Sequence, residues 1–125
     1  MEPGDPPLPE PYRVPVETAW LVEQTKRHGG RVVAVGTTVT RALETVAGPD
    51  GNVQAGEGWT DLVLGPDRRA RVVDGLVTGW HEPGASHLSL LEAVAGTDLV
   101  SSAYDEARAA GYLWHELGDS ALLMP

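Results

Sequence analysis

Along this chain, short unbroken runs of β-forming residues alternate with longer stretches whose apolar positions recur at helical spacing. Pro15 is suited to the first position of a helix, with Glu17 in the turn where a negative charge meets the positive end of the dipole. Lys26, Arg27 and His28 crowd the last turn, and Gly29-Gly30 ends it. Arg31 to Val35 follows as a strand whose continuous apolar character predicts burial on both faces, as in a parallel sheet. Gly36-Thr37-Thr38 turns into a second helix reaching about Ala47, closed by Gly48-Pro49-Asp50-Gly51. Two strands, Thr60 to Leu64 and Arg71 to Thr78, are linked by the turn sequence Gly65-Pro66-Asp67-Arg68. The loop 79–85 leads to a helix from Ser86 to Ala95, stopped by Gly96. Thr97 or Asp98 caps a further helix with Val100, Ala103, Tyr104 and Ala107 on one face, ended by Gly111. Tyr112 to His115 and Ala121 to Met124 read as closing strands. The alternation predicts an α/β fold, a mixed and mostly parallel sheet flanked by helices.

Composition refines this picture at the amino terminus. Residues 1–15 hold six of the ten prolines, which excludes a helix or central strand and predicts an extended or disordered lead-in. Residues 16–125 then form a single α/β domain of ordinary size. No apolar run approaches the roughly 18 residues that cross a bilayer, and the acidic, turn-rich start does not resemble a signal peptide. The absence of cysteine excludes disulfides and thiol catalysis and fits a cytoplasmic protein. Nine Lys and Arg against eighteen Asp and Glu give a net charge of −9. Neutralised phosphates supply most non-specific nucleic-acid affinity, so any RNA is gripped mainly by other segments. Lys26-Arg27-His28 and Arg68-Arg69-Ala70-Arg71 are the only dense basic spots, and such clusters are usually solvated faces.

Three segments could carry chemistry. In Val33-Ala34-Val35-Gly36-Thr37-Thr38-Val39-Thr40-Arg41, a glycine after a buried strand permits a tight turn. The helix that follows offers N–H groups to an anion or polar ligand. The same residues would serve equally if Gly36 only made the turn and a threonine only capped the helix. In Thr78-Gly79-Trp80-His81-Glu82-Pro83, a histidine between an aromatic and a carboxylate could stack a base and move a proton, although a lone histidine is more often structural. In Trp114 to Ser120, Gly118-Asp119 is either a plain turn or a way to place Asp119 against a polar ligand. The four histidines have no metal-binding spacing, so no metal is assigned.

Taken in order, Ala34-Val35-Gly36-Thr37-Thr38, Arg41-Ala42-Leu43-Glu44, Gly58-Trp59-Thr60-Asp61, Val72-Val73-Asp74, Thr78 with His81 and Pro83, and Gly118-Asp119-Ser120-Ala121 resemble the second half of the S-adenosylmethionine:tRNA ribosyltransferase-isomerase family. The likeness runs from about Tyr12 to Met124. It implies transfer and isomerisation of the ribosyl group of S-adenosylmethionine onto 7-aminomethyl-7-deazaguanine in tRNA, giving epoxyqueuosine with release of adenine and methionine. S-adenosylmethionine is then a substrate, and no metal is needed. The implied fold is the later part of an α/β domain that a β-barrel interrupts in the family, without that barrel. By motif position Gly36, Thr37, Thr38, Arg41 and Thr78 would line the substrate site. His81 would handle a proton near the leaving adenine, and Asp119 would support it. The partner implied is the missing N-terminal half or another chain, and the chain alone would be inactive.

This sequence departs from the family pattern at Gly79 (for Asn), Trp80 (for Phe), Glu82 (for Leu), Ala85 (for Ser) and Leu113 (for Arg). These changes add a charge and remove groups suited to stacking and phosphate contact. They keep two other readings open: a non-catalytic module that binds a nucleoside or S-adenosylmethionine, and a structural assembly domain of a divergent paralogue.

Overall fold

A computed structural model describes residues 8–79, 85–110 and 120–124. The elements in order are β1 (Glu10–Val14), α1 (Val16–Arg27), β2 (Val33–Val35), α2 (Thr37–Thr45), β3 (Gly56–Thr60), β4 (Gly75–Gly79), α3 (Ala85–Ala95), α4 (Thr97–Ala110) and β5 (Ser120–Leu123). They form two small sheets. One pairs β1 with β3, and the other has the order β2-β4-β5. The β2–β4 pair is parallel, while β1–β3 and β4–β5 are antiparallel. The fold is therefore mixed α/β. The expected strand at Tyr112 to His115 lies outside the described residues. No described helix is long and apolar enough to cross a membrane.

The helix signals lie close to where the sequence implies. Pro15, expected as the first helical residue, is instead the extended N-cap of α1, and Glu17 occupies the first turn. At the other end Gly29 adopts φ 77°, a conformation that favours glycine. Its N–H reaches the Lys26 carbonyl and that of Gly30 reaches Thr25, the paired bonds of a Schellman stop. His28, the C-cap, sets Nδ1 2.8 Å from the Gln24 carbonyl oxygen.

One expectation is made more specific and two are revised. Residues 10–14 of the Pro-rich segment form β1, whose register runs Glu10 against Thr60 to Val14 against Gly56. Proline is tolerated there because a two-stranded ribbon consists only of edges. Second, β2 is not buried on both faces: Ala34 is buried, while Val33 and Val35 are 41% and 70% exposed. Its one neighbour is β4, so among the described residues β2 is an edge strand covered on one side.

Third, the two strands expected around Gly65–Arg68 do not pair with each other. The turn exists, with Arg68 N–H donating to the Gly65 carbonyl at 3.0 Å. Side chains of α2, rather than a β-ladder, take up the backbone on either side of it. Arg41, 5% exposed, donates to the carbonyls of Leu62 (3.2 Å), Thr60 (3.4 Å) and Leu8 (3.1 Å) and pairs with Glu10 at 3.0 Å. Glu44, 1% exposed, accepts the amides of Arg71 (2.7 Å), Val72 (2.9 Å) and Val73 (2.9 Å), with Arg68 Nη1 at 3.4 Å.

A second clamp aligns the starts of the parallel pair. Asp74 accepts the Val32 amide at 2.8 Å and both of its oxygens lie 2.9 Å from Lys26 Nζ, which also donates to the Val72 carbonyl. Leu76, Leu91 and Val72 are fully enclosed in the core beside Thr40 and the Glu44 clamp.

The clamp makes a stability prediction. Glu44→Ala leaves three amides without their acceptor, those of Val72 and Val73 buried, and should cost on the order of 3 kcal/mol or more, because charge-assisted and buried hydrogen bonds are the expensive ones to remove. Urea denaturation should show this loss, whereas Glu57→Ala, at an exposed position of β3, should leave the midpoint nearly unchanged.

Candidate functional site

In a parallel pair both strands deliver their carboxyl ends to one edge, and in α/β folds that edge is where ligands bind. Here the pair is β2–β4, with Val35 opposite Val77. The chain leaves β2 at Gly36, whose N–H donates to the Val77 carbonyl at 2.9 Å, fixing the turn onto the end of β4. Gly36 has φ 98° and ψ 154° and is the N-cap of α2 without a side-chain capping bond. A Cβ built there meets nothing within 4 Å, so backbone conformation rather than crowding calls for glycine. Thr40 completes the first turn, its amide and Oγ1 both donating to the Gly36 carbonyl, at 3.4 and 3.1 Å.

This turn sets Gly36, Thr37 and Thr38 beside the end of β4, which carries Thr78. Thr37 is half-buried, Thr38 exposed and Thr78 buried. The opening N–H groups of a helix have no intrahelical partner, so the start of α2 presents donors for an anionic or polar ligand at this edge. The edge continues into β5, because Gly79 pairs with Ser120. His81 and Asp119 lie outside the described residues. In sequence they stand two residues after Gly79 and one before Ser120.

Arg41 lies one turn further along α2. Each described contact of its guanidinium is to the protein, at Leu8, Glu10, Thr60 and Leu62. Sequence reasoning also passed over Glu44 and Asp74 as functional groups in their own right. The signal of Glu44 was weak, since a carboxylate one turn from an arginine on the same helix reads first as an Arg41–Glu44 pair. The basic clusters are partly engaged internally, with Lys26 on Asp74, Arg68 on Glu44 and Arg69 Nε on the Ala93 carbonyl at 2.9 Å. Among the described residues no group of three His, Asp or Glu could hold a metal ion. A groove of about 640 Å³ lies elsewhere, between α1 and residues 52–55, lined in part by Trp20, Glu23 and Arg27.

Gly36→Ala should destabilise the chain by about 1–3 kcal/mol through backbone strain alone. Thermal melting should register this loss. Val39→Ala, at an exposed position of the same helix, is the control.

Comparison with known proteins places these features in context. The family model described as "Queuosine biosynthesis protein" matches residues 5–123. The S-adenosylmethionine:tRNA ribosyltransferase-isomerase of Symbiobacterium thermophilum is 47% identical over 113 residues, which is 90% of this chain and 33% of that protein. Its counterpart in Natranaerobius thermophilus is 46% identical over 114 residues, 91% of this chain and 33% of that protein. The crystal structure of an S-adenosylmethionine tRNA ribosyltransferase from Thermotoga maritima superposes with a TM-score of 0.76 at 40% identity, covering 90% of this chain and 40% of that one. The chain thus spans about a third of the length of the curated relatives it matches. From Gly36 after β2 to Ser120 at the start of β5, the edge lies within the matched region, and this chain belongs to the queuosine biosynthesis protein family.

Proposed function

We propose that this chain forms one wall of the substrate site of an S-adenosylmethionine:tRNA ribosyltransferase-isomerase and acts only with the remainder of that fold. The observation that carries the reading is the Gly36 turn, bonded to Val77 and holding Thr37 and Thr38 beside Thr78 at the carboxyl edge of β2 and β4. Gly36, Thr37, Thr38 and Thr78 contact the nucleoside part of S-adenosylmethionine. Arg41 supports them by anchoring α2 to the segments at residues 8–10 and 60–62.

His81 handles the proton at the leaving adenine, and Asp119 supports it. The ribosyl group passes from S-adenosylmethionine to 7-aminomethyl-7-deazaguanine in tRNA. With a net charge of −9, this chain leaves most of the tRNA grip to other segments. No step calls for a metal, and the reaction is placed in the cytoplasm.

A second reading rests on the sequence departures at Gly79 and Glu82: the edge binds the nucleoside without chemistry. Adenine release separates the two. A complete protein carrying this segment, given S-adenosylmethionine and tRNA bearing the deazaguanine, should release adenine measurable by chromatography. His81→Ala should slow that release by roughly 100-fold or more, the usual contribution of a positioned acid or base, and the isolated chain should release none. Calorimetric binding of S-adenosylmethionine to the complete protein, with no adenine from any preparation, would replace the first reading by the second.

A further inference from the structure

The groove between α1 and residues 52–55 shares no lining residue with the carboxyl edge of β2 and β4. Lys26, next to Arg27 on α1, bonds Asp74 just ahead of β4, so this end of α1 lies by the amino ends of the parallel pair. The volume of about 640 Å³ is of the size that holds a small organic ligand. Ala19 and Val53, 6% and 5% exposed, give the groove a buried apolar lining. Trp20, which also lines it, is 60% exposed. An indole left open at a groove suits stacking of a planar ring.

The polar groups narrow the choice of ring. Glu23 is half-buried, and its Oε1 accepts the Val53 amide at 2.7 Å, which ties the carboxylate between α1 and the loop. Its Oε2 lies 3.9 Å from Arg27 Nη2, beyond hydrogen-bond reach. Gln24, also half-buried, and Gln54 line the same groove, and among the described residues neither side-chain amide has a hydrogen-bond partner. Each amide offers both donors and an acceptor, while the carboxylate only accepts. A phosphate would meet Glu23 and a chain of net charge −9. A wholly apolar ligand would strip water from Glu23 and Gln24 without replacing it. A flat, neutral ring with adjacent N–H donors answers both constraints. Among nucleobases guanine has such an edge, at N1 and N2, whereas adenine presents a lone pair at N1.

We propose that this groove is a second binding site, one for a guanine base stacked on Trp20, with N1–H and N2–H donating to the Glu23 carboxylate and the amides of Gln24 and Gln54 completing the edge. No residue assigned to ribosyl transfer takes part.

Heteronuclear magnetic resonance tests it on this chain. The indole N–H groups of the four tryptophans are observed separately, and Trp20→Phe assigns the signal of Trp20. Guanosine should shift that signal saturably. Adenosine should bind about tenfold more weakly, the usual worth of a paired edge contact against the wrong base. Glu23→Gln keeps an oxygen for the Val53 amide and turns the other oxygen into a donor. It should weaken guanosine about tenfold and erase the preference over adenosine. Trp20→Ala, at an exposed position, should abolish guanosine binding measured by calorimetry. An RNA trinucleotide with guanine at its centre separates two sources of the base. Tighter binding of guanosine assigns a free nucleoside, and tighter binding of the trinucleotide assigns a base presented by RNA; either keeps the site.

No saturable shift of the Trp20 signal up to the solubility limit of guanosine, equal affinity for adenosine, or unchanged guanosine affinity in both Glu23→Gln and Trp20→Ala would overturn the proposal. So would a Trp20 signal that moves with chain concentration instead, which would assign the groove to a second copy.

Discussion

The carboxylate of Glu44 is buried at the centre of the domain, and three consecutive amides converge on it from residues 71–73. Burying an ionised group is costly unless hydrogen bonds replace its water, and here they do, with the Arg68 guanidinium adding a partner of opposite charge. The geometry forces the chain entering β4 to curl around one point. Glu44 and Arg41 lie one turn apart on α2, yet they serve different stretches, Glu44 the approach to β4 and Arg41 the exit from β3. A single short helix thereby does for residues 60–73 what a hairpin ladder would otherwise do.

The same helix presents the candidate site. Its carboxyl half carries the clamps, and its amino terminus opens at the edge where β2 and β4 end. Because Glu44 fixes the approach to β4 and Asp74 ties the start of β4 to Val32 and Lys26, the position of Thr78 relative to Gly36 is set from both directions. Polar groups buried at this density tolerate little displacement, since each shift would leave a donor or acceptor unpaired. A rigid base beneath the edge is what a site needs to hold reacting groups in register.

Membership of the queuosine biosynthesis family and the open sheet face bear on each other. The chain spans a third of its relatives' length, and Val35 and Leu122 are exposed on a sheet that contains a parallel pair.

Much was legible in the residues, and it was the local part. Pro15, Glu17 and Gly29-Gly30 bounded α1, Gly36 marked the turn into α2, and Gly96 separated α3 from α4, because caps and breakers act through their immediate neighbours. The order of motifs from Val33 to Asp119 was sufficient to reveal the family resemblance. Tertiary structure decided what depends on distant partners: Arg41 bonded to segments 19 to 33 residues away, Glu44 in place of a β-ladder, and β1 in the Pro-rich segment. It also left β2 half-covered, since an apolar run such as Val32-Val33-Ala34-Val35 does not itself record which of its faces is packed.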